Sequence, residues 1–121
     1  MFKVGQRVWV KSDKCFGVVK SIDVYGIYYN ISFENSPLGK TTTINDLHET
    51  ADDMFEKLGF EYEDGDHANY YINIEKALTI QLRTYINEFV KYNSCDKKRR
   101  GIDTDELQAI YQYYVELGKI E

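Results

Sequence analysis

The chain is poor in the residues that build cross-linked or metal-bound proteins, and it has no long apolar run. Its 121 residues include one proline, two histidines and two cysteines. Cys15 and Cys95 are too few for a disulfide scaffold, and their spacing matches no zinc or redox motif. No apolar run approaches the roughly 20 residues that cross a bilayer. The N-terminal segment lacks the basic-then-apolar layout of a signal peptide. We therefore expect a cytoplasmic protein with free thiols and no membrane partner.

Sequence signatures of catalysis are missing as well. The spacing of His48, His67, Cys15 and Cys95 matches no zinc-ligand pattern, and neither cysteine lies in a nucleophile motif. The eight glycines are dispersed and form no phosphate-binding loop. The abundant carboxylates fall in predicted loops and on solvent-facing helix positions, where solvated acid is the ordinary explanation. We predict a protein that is not an enzyme and has no cofactor and no metal site.

Charge is divided unevenly along the chain. Residues 1–48 carry six Lys/Arg and four Asp/Glu, whereas residues 49–121 carry nine and sixteen. Most of the acid lies in one stretch, where Lys57 opposes eight carboxylates: Glu49, Asp52, Asp53, Glu56, Glu61, Glu63, Asp64 and Asp66. One strong basic cluster stands apart, at Lys97, Lys98, Arg99 and Arg100. An uneven distribution of charge of this kind bears on which partners the protein binds and does not indicate its fold.

The first part of the chain has the pattern of short β-strands. Apolar residues recur at every second position within residues 4–10, 16–24 and 27–33. Gly17 marks a position for a bend or bulge, and residues 41–44 favour a short β-branched strand. Four or five short strands with tight turns would curl into a small barrel, which removes exposed edges. We expect no helix longer than one turn before residue 45.

Two helices are predicted in the second part, each with recognisable ends. Thr50 can cap the first, Gly59 can end it, and its apolar stripe is Ala51, Met54, Phe55 and Leu58. The closing helix begins with a capping box formed by Asp103 and Glu106 and stops near Gly118. Its predicted apolar face is Leu107, Ile110, Tyr111, Tyr114 and Leu117.

An antiparallel meander is predicted between these helices. A strand begins at Phe60, alternation follows in residues 70–75 and 78–83, and a further extended stretch lies around residues 87–92. The predicted fold is therefore α+β. It consists of a small β-barrel over residues 1–48 and an α-β-β-β-α unit over residues 49–121. We take residues 45–49 as a linker too short for independent tumbling, so the two parts should pack together.

Both parts also carry a resemblance to known proteins. Residues 2–10, 17–19 and 31–35 with the threonine cluster 41–43 resemble small SH3-like barrels of the Tudor/KOW type, especially those that begin short phage and prophage proteins. Gln6 stands where those barrels carry an acidic residue. In the second part, residues 54–60, 101–110 and 116–118 resemble uncharacterised phage-encoded reading frames with a helix–meander–helix region. The resemblance implies a phage origin and a host cytoplasm, and it implies no reaction.

A protein-binding module of phage type is the first function hypothesis. Trp9 is expected to point outward beside Arg7 and Lys11, with Tyr28 outward on another strand, so both are candidate partner anchors. The alternative is that Trp9 packs against the C-terminal half and belongs to the core between the two parts. Carboxylates could imitate phosphates and occupy the basic channel of a host nuclease or other defence factor, as in anti-CRISPR and other anti-defence inhibitors. These candidates are Asp52, Asp53, Glu56, Glu63, Asp64 and Asp66.

Nucleic-acid binding is the second function hypothesis. Small SH3-like barrels often bind nucleic acid, residues 1–48 are mildly basic, and Lys97, Lys98, Arg99 and Arg100 could contact phosphates. Against this, duplex affinity rests on several cation–phosphate contacts, and the formal net charge is −5. The alternative function is therefore a nucleic-acid-binding, SH3-like accessory protein of a phage.

Overall fold

Two antiparallel sheets and two helices make up residues 2–120, the part of the chain that the computed structural model describes. This confirms the predicted α+β class. The chain divides into a unit that ends at Thr50 and a unit that begins at Ala51. Neither helix in residues 2–120 has the length and apolar character that a bilayer crossing requires.

The first unit is a five-stranded sheet. Its strands are β1 (Arg7–Val10), β2 (Cys15–Ile22), β3 (Tyr28–Phe33), β4 (Gly39–Thr43) and β5 (Leu47–Glu49), in the spatial order β4-β3-β2-β1-β5. All neighbours are antiparallel. The described part of this unit contains one turn of 3-10 helix, Ile44–Asp46, and no longer helix, as predicted. Between residues 2 and 50 no ladder joins the edge strands β4 and β5, so this sheet does not by itself show the closure that the predicted barrel would have.

The stretch predicted to be a linker belongs to this sheet. Residues 47–49 form β5, which pairs with β1 through Val8↔Glu49 and Val10↔Leu47, and Leu47 is a core residue. Asp46 stabilises the preceding turn, because its carboxylate accepts hydrogen bonds from Ser12 and Thr42. The linker prediction was therefore wrong. The sequence did not reveal this strand, because three residues are too few to show an alternating pattern.

The core of the first unit comes from the three central strands and from the edge strand β5. Its buried members are Val8, Val10, Val19, Tyr29, Ile31 and Leu47. The irregularity in β2 lies between Val19 and Ser21 rather than at Gly17. Gly17 serves close packing instead, because a Cβ atom there would overlap the Ile31 side chain. The predicted bulge position was therefore wrong.

The second unit places two helices with a four-stranded meander. Its elements are α1 (Ala51–Lys57), β6 (Glu61–Asp64), β7 (Asn69–Asn73), β8 (Leu78–Arg83), β9 (Glu88–Asn93) and α2 (Thr104–Glu116), with the sheet order β6-β7-β8-β9. The layout is α-β-β-β-β-α, one strand more than predicted, because the extended stretch near residue 90 is a full partner of β8. As predicted, the chain leaves α1 at Gly59, whose φ of 90° is left-handed.

Both helices pack on the same face of this sheet. Phe55 of α1 and Ile110 of α2 share a buried cluster with Tyr71, Ile80 and Leu82 from β7 and β8. Strand register places Tyr62, Tyr71, Ile80 and Lys91 in one row on this inner face. The neighbouring row, which is Glu61, Ile72, Thr79 and Tyr92, therefore belongs to the opposite face.

The ends of α2 were predicted correctly, but its buried face was not. Asp103 and Glu106 form both hydrogen bonds of the capping box, and Gly118 follows the helix with a φ of 76°. Ile110 and Tyr114 are buried as expected. The other three predicted core residues, Leu107, Tyr111 and Leu117, are exposed, and Glu106, Ala109, Gln112 and Tyr113 are buried in their place.

A buried ion pair explains this rotation of α2. Glu106 turns inward because the Lys91 ammonium on β9 lies 2.7 Å from its Oε1 atom, with side-chain exposures of 10% for Lys91 and 6% for Glu106. The same Oε1 atom accepts a hydrogen bond from the backbone N–H of Asp103. A carboxylate that is paired and hydrogen-bonded can occupy a core position.

Candidate functional site

Four large apolar side chains project into solvent from the turn between β2 and β3. In this segment, residues 23–28 (hereafter the aromatic turn), Val24 is 92% exposed and Tyr25 81%, while Ile27 and Tyr28 are each about half exposed. Monomeric proteins rarely leave such a contiguous apolar group in water without a function. The sequence hypothesis included Tyr28 alone. The run Val-Tyr-Gly-Ile-Tyr around Gly26 was the signal that could have identified the rest.

The backbone of the aromatic turn is held by local hydrogen bonds. Asp23 accepts with its Oδ1 atom from the N–H groups of Ile27 at 2.7 Å and Tyr28 at 2.9 Å. The backbone N–H of Asp23 also donates to the Tyr28 carbonyl, and the Asp23 carbonyl accepts from the N–H of Gly26. Gly26 has a φ of 70°, which a residue with a side chain rarely adopts. The turn therefore presents its apolar side chains from a fixed backbone.

Trp9 does not form the exposed anchor that its alternation suggested. It is only 5% exposed, and its ring meets Phe16 edge to face at 5.0 Å between centroids. β1 is an interior strand, so Trp9 has Phe16 of β2 and His48 of β5 as its cross-strand neighbours. Arg7 is not a free flanking cation, because it stacks on Phe16 and pairs with Glu34 at 2.6 Å. The hypothesis that Trp9 is an exposed anchor was wrong, because its side chain is buried.

Apart from Glu49, which lies on β5, the acidic stretch lies on α1, on β6 and in the turn after β6. Glu56, Glu61, Glu63 and Asp66 are exposed, and Asp53 is half buried. Asp52 and Asp64 are also exposed, but each accepts a hydrogen bond from a tyrosine hydroxyl. The stretch thus contains a solvated part and a part that is engaged in the fold.

Tyrosine hydroxyls bind those two engaged carboxylates. Tyr71 donates to Asp52, and Tyr62 donates to Asp64 at 2.7 Å. Burial, followed by these carboxylates, raises the pKa of both tyrosines well above the ordinary value. Both phenols therefore remain protonated donors, and neither Asp52 nor Asp64 is the best site for probing contact with a partner.

The basic cluster forms an ordered loop between β9 and α2. All four members, Lys97, Lys98, Arg99 and Arg100 (hereafter the basic loop), are exposed. Arg100 pairs with Asp96 at 3.2 Å, and its backbone N–H donates to the Lys91 carbonyl. Within residues 2–120, Lys97, Lys98 and Arg99 have no ion-pair partner. Lys97 extends over the ring of Tyr92, with 5.5 Å from its ammonium to the ring centroid.

The face of the second sheet opposite its helices carries a group of aromatic and aliphatic side chains. This outer face includes Tyr70, Ile72, Gln81, Val90 and Tyr92, all of intermediate exposure. None of them belongs to either core cluster. No candidate on this face was predicted from the sequence, because alternation in β7 does not show which of its two faces is buried. Tyr71 lies inside and Tyr70 outside.

The thiols and imidazoles do not assemble into a catalytic or metal site in the described residues. Cys95 is exposed, and Cys15 is partly buried with a pKa raised by burial and by Asp13. The Nδ1 atom of His48 lies 2.7 Å from the Glu49 carbonyl oxygen. Across residues 2–120, no three His, Cys, Asp or Glu side chains are placed to hold a metal ion.

Comparison with known proteins adds no relative to this picture. No protein-family model, curated protein or solved structure matches the chain.

Proposed function

We propose that this chain is a non-enzymatic protein-binding module and that the aromatic turn is its main contact surface. The observation that carries the proposal is the exposure of Val24, Tyr25, Ile27 and Tyr28 together on one turn. Tyrosine is enriched among the residues that dominate binding energy at interfaces. A partner with an apolar cleft would bury these side chains and remove their contact with water.

The fixed backbone of the turn supports this role. Ordering a loop on binding costs free energy, and a preorganised loop avoids most of that cost. The two hydrogen bonds that the Asp23 carboxylate accepts from the N–H groups of Ile27 and Tyr28 supply this order in the free protein. Replacing Asp23 by alanine should therefore weaken binding even though its side chain need not touch the partner.

The solvated carboxylates suggest the charge of the partner. Glu56, Glu63 and Asp66 are exposed, so a basic partner would be attracted to the second unit before contact. Such attraction acts mainly on the association rate and weakens with salt. Occupation of the basic channel of a host nuclease, with carboxylates in the place of phosphates, is the form of inhibition that we propose.

The phage origin and the SH3-like class of the first unit belong to the same proposal. The first unit has a four-strand meander, a 3-10 turn and a fifth strand that returns to β1, an arrangement compatible with a small SH3-like barrel. Phage origin and inhibition of a host defence factor rest on the sequence resemblance. The identity of the captured partner would test them.

The test compares capture of a host protein by the tagged wild type and by variants of the aromatic turn. Tyr25→Ser and Ile27→Ser should lose a partner that the wild type retains in stoichiometric amount, because each removes an apolar contact. Leu38→Ser is the matched control, since Leu38 is also highly exposed and apolar but lies outside the turn. It should retain the partner.

Two further measurements separate binding from folding and from charge. The melting temperature of Tyr25→Ser should stay at the wild-type value, because Tyr25 is 81% exposed, and that of Ile27→Ser should fall only slightly, because Ile27 is half exposed. Reversal of Glu56, Glu63 and Asp66 to lysine should slow association with the purified partner at low salt. The proposal fails if turn variants and the Leu38→Ser control capture the same protein equally well.

A further inference from the structure

The outer face and the basic loop meet at one side chain, Tyr92. Its ring lies on the outer face, and the Lys97 ammonium is positioned over that ring at 5.5 Å. A sheet face with aromatic rings beside unpaired cations has the two components that hold single strands of nucleic acid: stacking surfaces and phosphate partners. We propose that this surface, formed by the outer face and the basic loop, binds single-stranded nucleic acid without sequence preference.

The spacing of the two tyrosines suits adjacent or nearby bases. Tyr70 is in register with Gln81, which is in register with Val90, two residues before Tyr92 on β9. Two interstrand steps and two residues along a strand separate the Cα atoms of Tyr70 and Tyr92 by about 12 Å. Ile72 and Val90 provide apolar contact beside the rings. Four-stranded sheets with such rings stack two or three bases.

The distribution of charge gives the strand a preferred side of the sheet. Arg83 lies two residues after Gln81 on β8, so it belongs to the same outer face as Tyr70 and Tyr92. Arg83 and Lys97 thus place positive charge near the β8–β9 side. Glu61 and Glu63 lie on the opposite edge strand, and Glu88 is 3.9 Å from Arg83. Glu61 and Glu63 would keep phosphates away from β6, whereas Glu88 offsets part of the charge of Arg83.

Single strands fit this surface better than a duplex does. Duplex affinity depends on many cation–phosphate contacts, and the basic loop offers three cations without an ion-pair partner in residues 2–120, on a chain of formal net charge −5. Base stacking is independent of net charge and tolerates any sequence, since every base has a π-face. A single strand can expose its bases to Tyr70 and Tyr92, whereas a duplex keeps them stacked within the helix.

Fluorescence anisotropy with labelled oligonucleotides tests the proposal. The probes are an oligo-dT and an oligo-U of about 12 nucleotides and a DNA duplex of the same length. Both single strands should bind more tightly than the duplex. With three phosphate contacts, the logarithm of the association constant should fall with the logarithm of salt concentration at a slope of about −2. Tyr92→Leu, which retains apolar volume, should weaken binding about fivefold or more.

Charge variants locate the contacts. The triple variant K97Q/K98Q/R99Q should bring the salt slope close to zero. The matched control K3Q/K11Q/K20Q removes the same charge from exposed positions in the first unit and should leave the slope unchanged. Tyr85→Leu is the aromatic control, because Tyr85 is exposed but lies in the 3-10 turn after β8.

Several results would overturn the inference. One is no anisotropy change with either single strand up to about 100 µM protein. Others are equal affinity for the duplex, wild-type affinity of a folded Tyr92→Leu variant, or loss of binding in the K3Q/K11Q/K20Q control. If Tyr92→Leu instead loses a protein partner while the wild type binds no oligonucleotide, the outer face is a protein surface. The capture assay on the aromatic turn is independent of all these outcomes.

Discussion

Replacing Glu106 by glutamine should lower the free energy of unfolding by about 3–5 kcal/mol. Lys91 lies 2.7 Å from the Glu106 carboxylate, and both side chains are almost completely buried. Removal of one charge therefore leaves the other unpaired in the interior. Glutamine can still accept the hydrogen bond from the Asp103 N–H, so the capping box remains and the substitution isolates the charge. The expected loss is large against a typical total stability of about 5–15 kcal/mol.

Urea unfolding of three variants measures the effect of this ion pair. Asp105→Asn is the matched control, because Asp105 is an exposed carboxylate in the same helical turn. It should cost only the interaction with the helix dipole, about 0.3–1 kcal/mol. Adding Lys91→Met to Glu106→Gln removes both charges, and the double variant should be more stable than Glu106→Gln alone, since no unpaired charge remains.

A small effect would refute the reasoning. If Glu106→Gln costs no more than Asp105→Asn, the Lys91 ammonium is hydrated rather than buried. If adding Lys91→Met lowers the stability of Glu106→Gln further, the charges are not coupled, and the inward rotation of α2 needs another cause.

Three further predictions concern packing and ionisation. Ile110→Ala should cost about 2–5 kcal/mol in urea unfolding, whereas Leu107→Ala, on the exposed side of α2, should cost less than about 1 kcal/mol; similar losses would contradict the observed helix face. Gly17→Ala should cost about 1–3 kcal/mol through overpacking, while Gly101→Ala, which has open space around it, should not; equal stability of the two would contradict the close packing. Burial and the Asp52 hydrogen bond raise the pKa of Tyr71. The stability that this group contributes is therefore present below about pH 10 and falls as pH rises above it. The free energy of unfolding should fall less steeply with pH in Tyr71→Phe, and an unchanged slope would contradict the raised pKa.

The candidate surfaces were only partly predictable from the sequence. Charge runs need no fold to be recognised, so the acidic stretch and the basic loop were visible from the start. The aromatic turn was represented by Tyr28 alone, since the exposed Tyr25 lies outside the alternating run that defines β3. The outer face was not visible, because Tyr70 and Tyr71 are chemically identical neighbours. Only the helices that cover Tyr71 distinguish them.

By itself, the sequence determined the features that depend on a few neighbouring residues. These are the alternating strands, the capping box of α2 and the glycines that end both helices. Local hydrogen bonds and backbone sterics fix them, whatever the rest of the chain does. Tertiary structure decided which faces are buried. Trp9 is buried and packs edge to face on Phe16, and Leu107 is exposed because Lys91 neutralises Glu106 in the core. Burial depends on partners that are distant in the sequence, so a local pattern cannot specify it.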